Sequence, residues 1–305
     1  MTPSAKVVVV AGPTASGKTA LAIELARRLG GEVVNADSQQ VYRGLDVGTA
    51  KPTPLERAAA RHHLLDLVEP GQGMDAARYQ ALADAAIAEI GARGGLPIVA
   101  GGTGLYLRAL LRGVAQTPGR DPELRAALEA EAVRDGRAAL HRRLAGIDPA
   151  AAAKIGENDL VRIVRALEIA AGGRTQTEVF AAHGFAEARY RARLLVIDLA
   201  RAELHARIDA RAPHLFDGLL HEARRMLERS DGVLPPRLPI GYAEAAEVLR
   251  GTLERGEAVR RVQVAHRRYA RRQVIWLRRE PAAEWLCLPV DADALAADLK
   301  TWSGR

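Results

Sequence analysis

Apolar and polar positions fall into blocks along the chain whose periods separate strands from helices. Val7 to Ala11 is a continuous, β-branched run, the pattern of a strand buried on both faces. A glycine-rich turn follows. Thr19 to Leu29 then carries apolar residues at helical spacing, closed by Gly30-Gly31. Glu32 to Ala36 predicts the next strand, Tyr79 to Ile90 an alanine-rich helix stopped at Gly94-Gly95, and Pro97 to Ala100 a third short strand. Strand and helix in this alternation predict an α/β fold with a parallel sheet. The rhythm changes after Leu111. Thr117-Pro118-Gly119 breaks the chain, and Asp121 to Val133, Ala138 to Leu144 and Asp159 to Ala170 read as helices before Leu194 to Leu199 restores a strand. The expected organisation is a discontinuous core over residues 1–116 and 191–305, interrupted by a helical insertion over 117–190. Leu234 to Pro239, with three prolines, separates two helical stretches nearer the C-terminal end.

The turn after the first strand carries chemistry. Gly12-Pro13-Thr14-Ala15-Ser16-Gly17-Lys18-Thr19 fits G-x-x-x-x-G-K-[ST] at every position, after a buried strand and before a helix. Glycines let successive backbone N–H groups curl around phosphate oxygens, and the helix N-terminus adds partial positive charge. Lys18 supplies a point charge to the terminal phosphates, and Thr19 offers a hydroxyl to Mg²⁺. The loop predicts phosphate binding without saying which phosphate compound is held.

Ligands of open α/β sheets lie beyond the carboxyl ends of strands. The second strand ends in Asp37-Ser38-Gln39-Gln40-Val41-Tyr42 and the third in Gly101-Gly102-Thr103-Gly104-Leu105-Tyr106. Asp37 is a candidate base or metal ligand, or else a helix N-cap. Thr103 could donate to a phosphate or cap a helix. A small-molecule kinase would commonly end such a strand in Mg²⁺-binding acids. Here the third strand ends in glycines, which weighs against that reading; Asp198 is the one late acid of this kind. His62-His63 with Asp66 lacks a second half, so a hydrogen-bonded structural feature is expected there rather than a metal site.

Composition adds exclusions. With 48% hydrophobic and 27% charged residues, the 305-residue chain is neither disordered nor collagen-like. Its single cysteine, Cys287, excludes a disulfide framework and a multi-cysteine zinc site. No apolar run approaches the roughly 20 residues of a membrane span, and Val7 to Ala11 is too short for a signal-peptide core. A cytoplasmic protein without a membrane partner is expected.

The net charge of +7 comes from 44 Lys+Arg against 37 Asp+Glu. It is concentrated. Between Arg255 and Arg279 lie nine arginines and one acid, Glu257, so the rest of the chain is close to neutral. On a helix, Arg260, Arg267, Arg271 and Arg278 share one side, and Arg261, Arg268, Arg272 and Arg279 form an adjacent stripe. Ala258, Val262, Ala265, Tyr269 and Trp276 are the expected core-facing spine. Like charges at this spacing repel, and neighbouring acids in sequence are almost lacking, so a polyphosphate backbone is the favoured partner.

These residues, taken together and in this order, resemble the bacterial tRNA dimethylallyltransferases (tRNA isopentenyltransferases) over essentially the whole chain. The matching stretches are Gly12 to Thr19, Asn35 to Tyr42, Asp46 to Pro52, His62 to Asp66, Gly101 to Tyr106, Asn158-Asp159 through Glu168, Ile240-Gly241-Tyr242 and Arg271 to Arg278. Departures are Ile275, where the family often has Thr, and Ala223, where Val is frequent. The resemblance implies a P-loop NTPase-like parallel sheet core with a helical insertion domain that contacts tRNA. It implies a transferase of tRNA modification that moves a dimethylallyl group from its diphosphate to N6 of the adenosine 3′ of the anticodon, in tRNAs reading codons that start with U. On that basis Asp37 is the general base, and Thr103 lies beside the reacting groups. Gly12, Pro13, Thr14, Ala15, Ser16, Gly17, Lys18 and Thr19 hold the prenyl diphosphate in the nucleotide-type loop, with Mg²⁺ on Thr19. Contacts with the tRNA anticodon stem-loop are implied for Asp37, Ser38, Gln39, Gln40, Thr103, Arg125, Val161, Arg162, Ile163, Val164, Arg165, Gly241 and Tyr242. Arg267 and Arg271 join them from the arginine helix.

A zinc finger of the eukaryotic type is not expected, and a monomer is. Three other readings share parts of the pattern. A free-nucleotide isopentenyltransferase has the core motifs, but its small acceptor needs neither the insertion nor the arginine helix. A P-loop kinase lacks a use for that helix. A non-catalytic RNA-binding regulator lacks a use for Asp37 and Thr103.

Overall fold

The computed structural model describes residues 5–305. They form two compact units: one runs to Leu111 and resumes at Ala188, and the other is Arg112–Glu187. In chain order the elements are β1 (Lys6–Ala11), α1 (Lys18–Leu29), β2 (Gly31–Asn35), α2 (Pro54–Ala59), β3 (His62–His63), α3 (Ala76–Ala92), β4 (Leu96–Gly101) and α4 (Gly104–Arg112). Next come α5 (Pro122–Asp135), α6 (Arg137–Ile147), α7 (Pro149–Ala152), α8 (Leu160–Ala171) and α9 (Gln176–His183). The chain ends with β5 (Arg191–Asp198), α10 (Arg201–Arg229), α11 (Tyr242–Leu249), α12 (Arg255–Leu277), β6 (Ala283–Cys287) and α13 (Ala292–Ser303).

The sheet order is β3-β2-β4-β1-β5-β6, and every neighbouring pair is parallel. β1 lies inside the sheet, between β4 and β5. Val7, Val9 and Ala11 pack on one face with Ile87, Ile90, Leu107 and Leu110 from α3 and α4. Val8 and Val10 pack on the other with Leu25 and Leu29 of α1 and Leu299 of α13. All five strand residues are fully buried, which is why the run is continuous rather than alternating. The strands foreseen from sequence match β1, β2, β4 and β5 to within a few residues. β3 and β6 were not foreseen, because one has two residues and the other is a partly buried edge strand.

The carboxyl ends of β2 and β4 are held close. Ala36 N donates to Ala100 O, and Thr103 N donates to Ala36 O. The Ala36 backbone lies where a Cβ on Gly101 would stand, so this approach requires glycine. The glycines that end the third strand are thus set by close backbone packing.

Three late helices form a second layer in the same unit, around Phe216, Leu219, Tyr242 and Val262. α10 runs through Pro213. Proline has no N–H, so the Asp209 carbonyl loses its usual partner four residues on. Gln263 Nε2 of α12 donates to that oxygen at 3.1 Å instead, and Arg267 holds the carboxylate of the same Asp209. Glu222 of α10 is buried and accepts from the backbone N–H groups of Asp46, Val47 and Gly48 at 2.7, 2.8 and 3.1 Å. The Tyr242 hydroxyl donates to it at 2.6 Å. One carboxylate therefore pins the loop after β2 to α10 and α11.

In the other unit, α5, α6 and α8 enclose Leu128, Leu140, Leu144, Ile163 and Leu167. Asp148 caps α7 through Ala151 N and receives the N–H and hydroxyl of Thr177 at the start of α9.

Glu222→Ala would leave three N–H groups and a phenol without their buried acceptor. The expected loss is about 3–5 kcal/mol, read as a lower denaturant midpoint with an unchanged slope. Glu222→Gln, which keeps an acceptor, is expected to lose less. An unaltered midpoint for the alanine variant would refute the pinning role.

Candidate active site and nucleic-acid interface

The loop Gly12–Thr19 joins β1 to α1. Ala15 and Gly17 take left-handed backbone conformations, with φ of 65° and 92°, which turn successive N–H groups into one concavity. α1 opens from Gly17 with no side-chain cap among the described residues, so its first N–H groups are available to an anion. Thr14 is held at both ends. Its N–H donates to Gln273 Oε1 at 2.8 Å, and its Oγ1 accepts from Arg211 Nη2 at 2.6 Å. Ser16 Oγ and Arg211 Nε are buried with no hydrogen-bond partner among the described residues. Polar atoms of this kind are rarely left unpaired unless a ligand completes them.

Asp37 follows β2. Its N–H donates to Asn35 Oδ1, and its own Oδ1 accepts from Gln39 N at 2.9 Å. Residues 38–40 form a turn rather than a helix, so Asp37 is not a helix cap. Its Oδ2 makes no hydrogen bond among the described residues and is available as an acceptor. Thr103 is not a side-chain cap either. Its Oγ1 accepts from Ser38 N at 2.9 Å and approaches Ser38 Oγ at 3.2 Å. The ends of β2 and β4 thereby brace each other around Asp37. The Tyr269 hydroxyl from α12 lies close to the Ser38 and Thr103 side chains.

Thr14, Asp37, Gln39, Arg211, His266 and Tyr269 line one pocket, with Leu215, Pro239 and Ile240 supplying apolar wall. Lys18 keeps partial residue exposure, but its ammonium is recessed. Burial pushes its pKa down, the Asp37 carboxylate draws it back up, and Arg211 lowers it further. Burial also lowers Arg211, against the pull of Asp37. Two recessed cations thus share one carboxylate, an arrangement that favours a ligand carrying more than one negative charge.

Comparison with known proteins agrees with this geometry. Residues 40–280 match the family model described as IPP transferase. The chain belongs to that family. A tRNA dimethylallyltransferase of Anaeromyxobacter dehalogenans strain 2CP-C is 73% identical over 292 residues, covering 95% of this chain and 98% of the relative. A solved tRNA isopentenylpyrophosphate transferase of Bacillus halodurans is 35% identical with a TM-score of 0.69, covering 99% of this chain and 96% of that one. A eukaryotic dimethylallyltransferase, solved acting on tRNA, is 26% identical with a TM-score of 0.81, covering 99% of this chain and 80% of that one. The P-loop NTPase-like fold is thus shared with IPP transferases of known structure. The match to the family model begins after the phosphate loop, so the assignment to the family and the loop geometry are independent observations.

The arginine helix of this family member differs from its sequence-based reading. Acids scarce along α12 itself arrive from its neighbours. Arg255 pairs with Asp217 and Arg267 with both oxygens of Asp209 at 2.7 Å, both acids on α10. Arg261 meets Glu247 of α11 as well as Glu257, and Arg260 takes Glu257 too. Arg278 lies 3.9 Å from Asp198. Arg268, Arg271, Arg272 and Arg279 are exposed and make no ion pair among the described residues. The Arg272 guanidinium lies over the Tyr269 ring at 5.7 Å. The uncompensated charge therefore occupies the C-terminal half of the helix, and Arg267 is engaged internally. The buried stripe is likewise shifted: it is Ala258, Val262, His266, Ala270, Gln273 and Leu277, with Ala265, Tyr269 and Trp276 only partly buried.

Of the segments considered for RNA contact, Ser38, Gln39 and Gln40 remain partly exposed around Asp37. Gly241 caps α11 in a left-handed conformation, and the Tyr242 side chain is fully buried on Glu222. In the helical unit Arg125 makes a two-pronged bond to buried Glu168 at 3.0 and 2.6 Å. Arg165 bonds to Thr117 and Pro118, and Ile163 and Val164 are core residues. Val161 and Arg162 face solvent. His63 bonds to Glu32, His62 to the Ala60 carbonyl and Asp66 to Lys51 and Arg57. No group of three metal-binding side chains occurs among the described residues, and none of their helices is long and apolar enough to cross a membrane.

Arg211, His266 and Gln273 escaped the sequence reading. A usable signal existed, since His266 and Gln273 are polar residues at buried positions of an amphipathic helix. Burial pushes the His266 pKa down to about 4, and Arg211 adds to the effect. The unfolded chain binds a proton near pH 6.5 that the folded chain refuses until about pH 4. Stability is therefore lost as pH drops from about 6.5 to about 4, by about 3 kcal/mol from this residue. His266→Leu is expected to flatten the decline in melting temperature between pH 6.5 and 4.5. An equal slope in the variant would show that His266 is not the source.

Proposed function

We propose that this chain transfers a dimethylallyl group from dimethylallyl diphosphate to N6 of the adenosine 3′ of the anticodon, in tRNAs that read codons beginning with U. One observation carries the reading. Thr14 of the phosphate loop, Arg211 and Asp37, a carboxylate with a free oxygen, line one pocket beside an apolar wall, and recessed Lys18 is close enough to feel the charges of Asp37 and Arg211.

The residues divide the work by position. The loop N–H groups, Lys18 and Arg211 receive the diphosphate, and Leu215, Pro239 and Ile240 suit the prenyl end. Adenine N6 attacks C1 of the prenyl group, the C1–O bond breaks, and its electron pair leaves with the diphosphate. The N6 proton passes to Asp37, whose Oδ2 is unoccupied by internal hydrogen bonds; Oδ1 is anchored by Gln39 N–H. Negative charge grows on the departing diphosphate, where Lys18, Arg211 and the α1 N-terminus stand. Thr103 holds Ser38, and with it the Asp37 turn. The Thr19 hydroxyl, directly after Lys18 at the start of α1, suits Mg²⁺, which takes few protein ligands and fills its shell with water and phosphate oxygens. Thr19 would hold it, and when bound it adds positive charge at the leaving group.

The acceptor base must leave its stack to reach Asp37. The RNA backbone is met by Arg268, Arg271, Arg272 and Arg279, with Ser38, Gln39 and Gln40 at the site and Val161 and Arg162 in the helical unit. A monomer working in the cytoplasm is sufficient for this chemistry.

Incubation with dimethylallyl diphosphate and either unmodified tRNA or AMP tests the acceptor. A mass gain on tRNA alone is expected; a gain on AMP would identify a free-nucleotide enzyme. Asp37→Ala is expected to reduce turnover by about 10³-fold with tRNA affinity nearly unchanged. Full turnover in that variant would remove Asp37 as the base. Replacing Arg271 and Arg272 together is expected to weaken tRNA binding and reduce the slope of log K against log salt by about 2. Replacing Arg255 and Arg260, already paired, should leave the slope in place, and the opposite ranking would place the RNA elsewhere on α12.

A further inference from the structure

We propose that Gln273 is a positioning residue for the diphosphate loop, acting through Thr14 and Gly102. This rests on the reading of the loop as the diphosphate site. Gln273 is buried within α12, and both ends of its amide are engaged. Oε1 accepts the Thr14 N–H at 2.8 Å, and Nε2 donates to the Gly102 carbonyl at 3.0 Å. The two partners dictate the orientation, since a backbone N–H must donate and a carbonyl must accept.

Thr14 follows β1 and Gly102 follows β4, neighbouring parallel strands whose loops then lead in different directions. A single amide joins them. A group that only donates or only accepts would leave a buried backbone atom unpaired. The fit is close: a Cβ on Gly102 would collide with the Gln273 amide and with the Gly12 carbonyl.

The bond decides which N–H groups face the ligand. With Thr14 N–H committed to Gln273, the anion cradle is left to the N–H groups that follow it in the loop. The Thr14 backbone, so held, sets its hydroxyl where Arg211 Nη2 meets it at 2.6 Å. Gln273 thus governs the loop directly and Arg211 at one remove. On the other side of the same helix, Arg271 and Arg272 are exposed. α12 therefore serves the diphosphate with its buried face and RNA with its open one, and Gln273 acts on the first alone.

The test separates the two ligands. Gln273→Met removes both bonds at similar volume. Gln273→Asn keeps the amide but is a methylene too short to reach both partners, and it carries the test should the methionine variant fold poorly. Each is assayed for KM of dimethylallyl diphosphate, KM of tRNA, and affinity of the RNA-free protein for inorganic pyrophosphate with Mg²⁺ by calorimetry. A tenfold or greater rise in diphosphate KM and in pyrophosphate Kd is expected, with tRNA KM within twofold and a smaller effect for asparagine. Diphosphate KM and pyrophosphate Kd within twofold of the parent would overturn the proposal, as would equal rises for both substrates. The parent's own turnover reports on the prenyl-transfer reading, while pyrophosphate binding reports on Gln273 without any turnover.

Discussion

The site depends on a helix that buries polar side chains where an amphipathic helix normally buries apolar ones. Two of its glutamines meet backbone atoms that the rest of the fold leaves unpaired. Gln263 supplies the donor that Pro213 denies to the Asp209 carbonyl. Gln273 closes the gap between Thr14 and Gly102. Leaving a buried donor or acceptor unpaired costs on the order of 1–3 kcal/mol, so such contacts fix the axial position of α12 more sharply than apolar packing would. That position, in turn, braces the start of the phosphate loop at Thr14.

Charge follows the same economy. Inside the site, Lys18 and Arg211 share Asp37, and burial lowers the pKa of both cations. A ligand carrying more than one negative charge would relieve that imbalance. Outside, the arginines of α12 are sorted by their neighbours. Asp209 and Asp217 of α10 and Glu247 of α11 neutralise one end of the helix, leaving the charge at the other end uncompensated. Family membership and the tRNA dimethylallyltransferase relatives fit a protein that acts on a large polyanion.

Much of this was legible in the order of residues. The buried run of β1, the phosphate loop and the helix after it are local patterns, and local sterics and hydrogen bonding determine them. Asp37 and Thr103 were legible as strand-end residues, but not their roles, because a cap and a base look alike until the neighbouring strand is placed. Tyr269 was read as core; it is partly buried and faces two hydroxyls. Arg267 was read as free because its acid lies on another helix, 58 residues away in sequence.

The sequence by itself determined the parallel α/β core, the anion-binding turn and the concentration of positive charge in one helix, since each arises from neighbours within a few residues. Only the tertiary structure decided which arginines remain unpaired, that Arg211 and His266 line the site, and that Gln273 links two strand ends. Those properties are sums of desolvation and pairing between distant segments, and a side chain's charge or hydrogen-bonding capacity is spent or spared only when its partner is brought alongside.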